Sequence, residues 1–341
     1  MSISESTRKS LVLAIMLLLI FSSAAFAQGK RKEKKVVPRG RPVLWRNPGN
    51  IRDRDLFLGP GGAEMRPDTS TITFIKEEKG GYSPKFRVRD RAGREWMAKL
   101  GKEAQSETAA IRLLWAIGYS TEINYLVPCV HINGAPKPRK KVDRCEGQGF
   151  ANVRFEARPE NVERTGAWKW KRNPFIGRRE LQGLIVMMGL INNWDIKDSN
   201  NVILYVPAGS GGSVIAESHY AVSDLGATFG KTGNVPFFWR ITRSRNNPKD
   251  YAKARFVDKV KGNRVAFRYG GKNRGLFKNI TLADAKWLAD LLARLSDRQV
   301  ADAFRASNYS PSEVRMLTEA VRRRINELVN LPEPGIASIL D

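Results

Sequence analysis

The sequence predicts an α+β protein with two lobes, an N-terminal lobe built on an antiparallel sheet and a mainly helical C-terminal lobe. Short stretches of alternating polar and apolar residues, separated by glycines, fill residues 71–100. Longer segments with helical periodicity dominate after residue 175, and a glycine-rich turn at 207–213 joins two strand-like stretches among them. A period of two indicates strands, whereas apolar residues three and four apart indicate helices. We therefore expect an N-lobe over 71–160 and a C-lobe over 161–330.

The first 27 residues predict a secretory signal peptide. Arg8 and Lys9 precede an apolar run at 11–21, and Ala25-Phe26-Ala27 supplies a small-residue cleavage site. The alternative is a membrane anchor, but the run is shorter than the roughly 20 residues that span a bilayer. The expected protein is therefore exported, periplasmic or secreted, and carries no transmembrane segment after cleavage.

The composition is strongly basic. The 341 residues include 59 Lys and Arg against 34 Asp and Glu, a formal net charge of +25. Such a surplus attracts anions of many kinds and does not choose among them. The basic run at 30–35 is typical of a solvated leader. The sequence has no zinc-finger spacing, RNA-binding aromatic signature or basic heptads, so dedicated nucleic-acid binding is not expected.

The chain contains only two cysteines, Cys129 and Cys145. In an exported protein an isolated pair predicts one disulfide, and two free thiols are the alternative. The two histidines, His131 and His219, are far apart in sequence, so no zinc site is predicted.

Residues 28–70, rich in Arg, Pro and Gly, predict an extended segment that wraps the lobes, anchored by Trp45, Leu56 and Phe57. The N-lobe is expected to follow as three strands, a helix over 106–118 and a further strand. The strands are expected at 71–78, 85–90, 95–100 and 123–134. Ser106 is a candidate N-cap for the helix, and Gly118 a candidate stop.

The C-lobe is expected to contain helices with one embedded hairpin over 202–223, followed by a tail at 331–341. The helices are expected at 178–193, 281–295, 297–307 and 311–330. Thr281 and Ser310 are candidate N-caps.

The hairpin carries polar residues at its outer ends. Asn200 precedes the outgoing strand and Asp224 follows the returning one, so the two should lie side by side. Asp195 lies five residues before Asn200 on the same loop. Two carboxylates and an amide oxygen suit a hard cation such as Mg²⁺.

These residues belong to a longer series of motifs. D-I-K-D-S-N at 195–200 and D-L-G at 224–226 flank the hairpin. Lys99, in M-A-K-L, lies on the third predicted strand, and Glu107 lies in the next helix. Glu103 is an alternative partner for Lys99.

In this order and spacing the motifs resemble those of protein kinases, over about residues 71–330. The chain is most similar to the atypical group that includes HipA-type toxin kinases, secretory-pathway kinases and phosphatidylinositol kinases. Asn193 and Trp194 replace the His-Arg of the kinase catalytic loop, and G-G-Y-S at 80–83 replaces the longer glycine motif. The Ala-Pro-Glu motif is missing after Asp224.

The resemblance implies catalytic and metal-binding roles. Asp195 would orient or deprotonate the acceptor hydroxyl, and Lys197 would counter charge on the transferred phosphoryl group. Asn200 and Asp224 would hold Mg²⁺ or Mn²⁺.

It also implies a set of nucleotide-binding residues. Lys99, fixed by Glu107, would bind the phosphates of ATP. The residues whose backbone N–H groups would cover those phosphates are Gly80, Gly81, Tyr82 and Ser83.

Each feature also has a plain structural explanation. A lone lysine on a strand commonly faces water, and a glutamate early in a helix interacts favourably with the helix dipole. The basic stretch at 237–256 favours a solvated face over a docking site for an acidic substrate. In combination, the features predict an exported, monomeric phosphotransferase with a protein or small-molecule acceptor, acidic in character. The alternative is a catalytically silent protein of the same fold that binds an acidic ligand or partner.

Overall fold

The computed structural model describes residues 39–210, 214–233 and 242–333. The strands are β1 (Arg41–Val43), β2 (Thr73–Glu78), β3 (Lys85–Arg89), β4 (Glu95–Lys99), β5 (Asn124–Val130), β6 (Phe150–Ala157), β7 (Glu163–Gly166), β8 (Asn201–Val206), β9 (Glu217–Val222), β10 (Val257–Lys261) and β11 (Arg264–Phe267). The α-helices are α1 (Glu103–Ala116), α2 (Arg179–Leu190), α3 (Pro248–Lys253), α4 (Leu282–Ala293), α5 (Asp297–Arg305) and α6 (Pro311–Val329).

The N-lobe is a five-stranded antiparallel sheet in the order β2-β3-β4-β6-β5, with α1 packed against it. Phe86, Trp96 and Phe155 fill the apolar core on one face. Side chains alternate between the two faces of a strand, so Lys85 and Lys99, which are paired in register, lie on the other face. The four predicted strands are present with ends shifted by a few residues. Strand β6, which lies between β4 and β5 in the sheet, was not predicted.

Helix α1 begins earlier than expected. It starts at Glu103, so the prediction that Ser106 caps it is wrong. The Ser106 hydroxyl instead donates to the carbonyl of Gly226, at 3.0 Å, and ties the helix to the C-lobe. The end of the helix is as predicted. Gly118 has a positive φ of 96°, and the N–H of Tyr119 bonds back to the carbonyl of Leu114, which is the hydrogen bond of a glycine-terminated helix.

The C-lobe packs α2, α4 and α6 around an apolar core. The predicted caps Thr281 and Ser310 are confirmed. The side chain of each accepts a hydrogen bond from the backbone N–H of the third residue of its helix, and the side chain of that third residue accepts one from the backbone N–H of the cap. The predicted hairpin is β8–β9, with Asn201 opposite Val222. A second hairpin, β10–β11, was not predicted.

The segment before β2 is extended but takes part in a sheet, because β1 pairs in parallel with β9. Leu56 is buried, and Trp45 packs edge-on against Trp287 with ring centroids 5.3 Å apart. Phe57 is 47% exposed, so the prediction that it anchors the segment is wrong. Ile51, which is fully buried, anchors the segment instead.

The protein is therefore α+β, with the sheet-based N-lobe and mainly helical C-lobe of a bilobal protein-kinase-like fold. No helix within the described ranges is both long and apolar enough to cross a bilayer. The predicted signal peptide, the basic run at 30–35 and most of the tail at 331–341 lie outside the described residues, as do 211–213 of the hairpin turn and the start of the stretch 237–256.

Candidate functional site

Lys99 lies at the end of β4, is 1% exposed and contacts three carboxylates. Its Nζ is 2.7 Å from Glu107 Oε2, 3.2 Å from Glu103 Oε2 and 3.2 Å from Asp224 Oδ1. Both glutamates proposed as partners therefore contact Lys99, and Glu107 is the closer. They lie four positions apart on α1, which places them on one face of the helix. Burial alone would lower the pKa of Lys99, but the carboxylates of Glu107, Asp224 and Glu103 together outweigh it and the pKa is raised.

Asp224 follows β9 directly and faces Lys99 from the C-lobe. The carbonyl of Asn200 accepts hydrogen bonds from the N–H groups of Ser223, at 2.8 Å, and Asp224, at 3.1 Å. The hairpin thus brings Asn200 and Asp224 together, as its polar ends suggested. Burial alone would raise the pKa of Asp224, but the charge and hydrogen bond of Lys99, together with the charge of Lys85, outweigh it and the pKa falls to about 2. The carboxylate is held ionised.

Asp195 is held by two lysines. Its Oδ2 lies 2.9 Å from Lys197 Nζ, and its Oδ1 lies 2.7 Å from Lys272 Nζ. Asn200 Nδ2 donates to the carbonyl of Asp195 at 2.7 Å and fixes the loop between them. Burial opposes ionisation, but hydrogen bonds from Lys272 and Lys197 outweigh it, so the pKa of Asp195 is lowered.

Lys272 is a site residue that the sequence analysis missed. It follows β11, and its backbone N–H donates to the carbonyl of Trp194 at 2.8 Å, which places it beside the Asp195 loop. Asn273 Nδ2 donates to the carbonyl of Ile196 at 2.7 Å and strengthens this attachment. The only sequence signal is G-G-K-N at 270–273, a turn followed by a basic residue. Nothing in that pattern indicates its spatial neighbour.

The short loop between β2 and β3 borders the site. Gly81 and Tyr82 line a cavity at the site, and Tyr82 is 64% exposed. Ser83 is buried and its hydroxyl donates to Glu103 Oε2 at 2.7 Å. Gly80, the remaining predicted residue of this loop, is exposed beside them.

A cavity of about 620 Å³ is lined by some of these groups, whereas Lys99, Glu107 and Lys272 do not line it. Its walls include Gly81, Tyr82, Lys85, Glu103, Arg164, Asp195, Lys197, Asn200, Ser223, Asp224 and Arg245. Lys85 and Arg245 were also missed by sequence reasoning. Lys85 lies opposite Lys99 in the β3–β4 register, and Arg245 ion-pairs with Glu103. Burial, together with the charge of Lys99, lowers the pKa of Lys85. The cavity thus combines several cations with two ionised aspartates, which suits a phosphate accompanied by a metal ion.

A second cavity of about 400 Å³ shares Arg164 with the first. It lies where β6 leaves the N-lobe and is partly apolar, with Ile123, Ala157, Val162 and Leu204 in its wall.

The oxygen donors at the main cavity fit a magnesium ion that shares its coordination with phosphate. Asn200 Nδ2 is already donating to Asp195, which leaves its Oδ1 as the ligand atom. Asp224 contributes an ionised carboxylate. In the described part of the chain, no group of three or more His, Cys, Asp or Glu side chains forms a metal cluster. Magnesium sites on nucleotides commonly use one or two protein oxygens, the phosphates and water.

The predicted disulfide is present. Cys129, in β5, is bonded to Cys145, and their Cα atoms are 5.8 Å apart. The bond closes the long connection between β5 and β6 at its base.

No family model and no curated protein matches this chain. Among solved structures, the chain is similar to the proinflammatory kinase CtkA of Helicobacter pylori, with 10% sequence identity and a TM-score of 0.43. That match covers 76% of this chain and 96% of the other.

Proposed function

We propose that the protein is an exported phosphotransferase that moves a phosphoryl group from a magnesium-bound nucleotide, ATP, to a hydroxyl acceptor. One observation carries the proposal. Lys99 of the buried Lys99–Glu107 pair contacts Asp224. Asp224 lines one cavity together with Asn200, Asp195 and several cationic side chains, those of Lys85, Arg164, Lys197 and Arg245.

Each group has a role in this chemistry. Lys99 and Lys85 supply positive charge for the donor phosphates, and Glu107 keeps the Lys99 ammonium in place. Asn200 and Asp224 would hold Mg²⁺, which neutralises charge that develops on the phosphates. Asp195, kept ionised, accepts a hydrogen bond from the acceptor hydroxyl and aligns it. Catalysis by positioning and charge stabilisation requires few side chains.

The donor arrangement uses both cavities. The phosphates occupy the 620 Å³ cavity and the base enters the 400 Å³ cavity beyond Arg164. Export is supported by the signal-like N-terminus and the Cys129–Cys145 disulfide, which forms in oxidising compartments.

One observation favours a second function, a silent fold that binds an acidic ligand. Both oxygens of Asp195 are engaged by ammonium groups, of Lys197 and Lys272. Such a site binds anions through the same lysines without any transfer of phosphate.

Calorimetry with Mg·ATP tests the main proposal. The purified protein should bind Mg·ATP, and Asp224→Ala should abolish binding because the metal loses its carboxylate ligand. Asp290→Ala, an exposed aspartate on α4, is the matched control and should bind normally. Absence of binding with both Mg²⁺ and Mn²⁺ would refute the nucleotide donor.

A salt series separates the two functions. Phosphotransfer requires Asp195, so Asp195→Asn should stop turnover of ATP. An anion binder should keep its ligand in Asp195→Asn, or bind it more tightly, because the substitution frees the ammonium groups of Lys197 and Lys272. It should lose its ligand steeply as salt is raised.

A further inference from the structure

One side chain, Arg139, holds the loop between β2 and β3. Its guanidinium donates to the carbonyls of Lys79, at 2.6 Å, Gly81, at 2.7 Å, and Ser83, at 3.0 Å, with a longer contact of 3.4 Å to Gly80. A planar fork with five N–H donors suits several carbonyls at once better than an ammonium does. Arg139 therefore fixes the orientation of consecutive peptide groups.

The captured carbonyls determine where the amides point. No peptide bond is cis in the described ranges, and in a trans peptide the C=O of one residue is antiparallel to the N–H of the next. The N–H groups of Gly80, Gly81 and Tyr82 therefore face away from Arg139. Among the described residues, these N–H groups have no acceptor. Successive free amides beside a cavity form a binding place for an anion.

Arg139 belongs to the β5–β6 connection that the disulfide closes. The bridge joins Cys129 to Cys145, so Arg139 lies inside a covalent ring with a sequence separation of 16. The next residue, Lys140, places its Nζ 3.4 Å from the centre of the Tyr82 ring. Arg245 of the C-lobe covers the same ring at 4.8 Å. The segment closed by the disulfide therefore contacts the loop 79–83 through two residues, Arg139 and Lys140.

We propose that the Cys129–Cys145 disulfide, acting through Arg139, controls phosphate binding at the loop 79–83. Arg139 is a positioning residue: it holds carbonyls so that the amides opposite them are free for the donor phosphates. The proposal rests on the proposed function in one respect, that the ligand at this loop is the phosphate of the donor. Opening the ring releases the constraint on Arg139 and disorganises the amides.

The switch uses ordinary thiol chemistry. A dithiol reductant attacks the bridge; two electrons and two protons pass to Cys129 and Cys145, which become thiols, and the reductant becomes a disulfide. Cys129 is exposed and Cys145 is half-buried, so a reductant can reach the bond. The oxidised protein is the binding form and the reduced protein the weak form.

A double-mutant cycle on the purified protein tests the link. The probes are Mg·ATP and magnesium tripolyphosphate, measured by calorimetry. Arg139→Ala and Cys129→Ser/Cys145→Ser should each weaken binding about tenfold, the effect expected for charged hydrogen bonds to a loop. Combining them should add little further loss, because both remove the same constraint. Arg139→Lys should recover part of the affinity.

Two controls accompany the cycle. Arg144→Ala removes an arginine of the same connection that bonds to the carbonyl of Gln148 and stacks on Phe150, and it should bind both probes normally. A dithiol should weaken binding by the wild type but not by Cys129→Ser/Cys145→Ser. Full additivity of the two variants, or no effect of the dithiol, would overturn the proposal.

Backbone nitrogen-15 relaxation supplies a readout that needs no ligand. Arg139→Ala and reduction should both lower the NMR order parameters of the amides at 80–82, because the loop loses its constraint, while Arg144→Ala should leave them unchanged. Order parameters that do not change after reduction contradict the switch. If neither probe binds the wild type but the order parameters respond as expected, the proposed function fails and the mechanical link between disulfide and loop stands.

Discussion

Lys99 Nζ lies 3.2 Å from Asp224 Oδ1, although the two residues are 125 positions apart and belong to different lobes. The contact joins the sheet of the N-lobe to the hairpin of the C-lobe. It also closes a group in which one buried ammonium faces three carboxylates, of Glu103, Glu107 and Asp224. The stability of the lobe interface and the charge of the site therefore depend on the same side chain.

Replacing Lys99 should affect both the stability of the protein and the binding of nucleotide at the site. Lys99→Met keeps the length of the side chain but leaves Glu107 without its closest cation. Removing one partner of a buried ion pair costs about 3–5 kcal/mol, so we expect the free energy of unfolding to fall by roughly 3 kcal/mol. Mg·ATP binding should also be lost. Urea denaturation and calorimetry measure the two effects.

Lys76→Met is the matched control for this substitution. Lys76 lies on β2 of the same sheet, its side chain is 56% exposed, and it contacts Glu78 at 3.3 Å. Exposed ion pairs contribute about 0–1 kcal/mol, so this variant should unfold almost as the wild type does and bind Mg·ATP normally. Equal destabilisation by the two substitutions would contradict a special role for Lys99.

Local signals made most of the fold predictable. Ser310 and Thr281 cap their helices because a hydroxyl or carboxylate near the helix start satisfies free N–H groups, and this requirement is local in sequence. Strand β6 was missed because its pairing with β4 and β5 is set by distant residues. Ser106 was misplaced as a cap because its hydroxyl bonds to the carbonyl of Gly226, 120 positions away.

The same distinction applies to the site. Asn200 and Asp224 were predictable neighbours because a hairpin brings its two ends together. Lys272 and Arg139 were not predictable, because each reaches the site from a separate loop whose path depends on tertiary packing.

The disulfide should stabilise the protein through its unfolded state. Joining Cys129 to Cys145 restricts the unfolded chain, and for a ring of this size the chain-entropy model gives about 3 kcal/mol. Cys129→Ser/Cys145→Ser should lower the free energy of unfolding by about this amount. Denaturation of the wild type in a reductant should match the variant, and the reductant should not alter the variant itself. A variant as stable as the oxidised wild type would show that the bridge adds nothing.

Asp224 should produce a distinct acid transition. Its pKa in the folded protein, about 2, lies below the ordinary value of 3.8. The folded state therefore binds fewer protons than the unfolded state between these values. The stability it contributes is complete above about pH 3.8 and is lost as the pH falls through 2.

Unfolding of Asp224→Asn should accordingly depend less steeply on pH between 4 and 2 than unfolding of the wild type, while Asp290→Asn should follow the wild type. Equal slopes for all three proteins would contradict the depressed pKa.

Lys272 should control the protonation of Asp195. The ammonium of Lys272 lies 2.7 Å from Asp195 Oδ1 and is among the contacts that lower the pKa of this carboxyl. Lys272→Met removes one of two stabilising cations, so the pKa of Asp195 should rise towards its ordinary range. Carbon-13 NMR of labelled aspartate carboxyl groups should show the Asp195 titration at higher pH in the variant.

Two control variants accompany this measurement. Lys272→Arg should keep the Asp195 titration at low pH, and Lys278→Met, on an exposed lysine a few residues further along the chain, should not move it. If ATP turnover is detected, the acid limb of its pH profile should shift in the same direction, because the ionised form of Asp195 aligns the acceptor. An Asp195 titration unchanged by Lys272→Met would show that Lys197 alone holds the carboxylate.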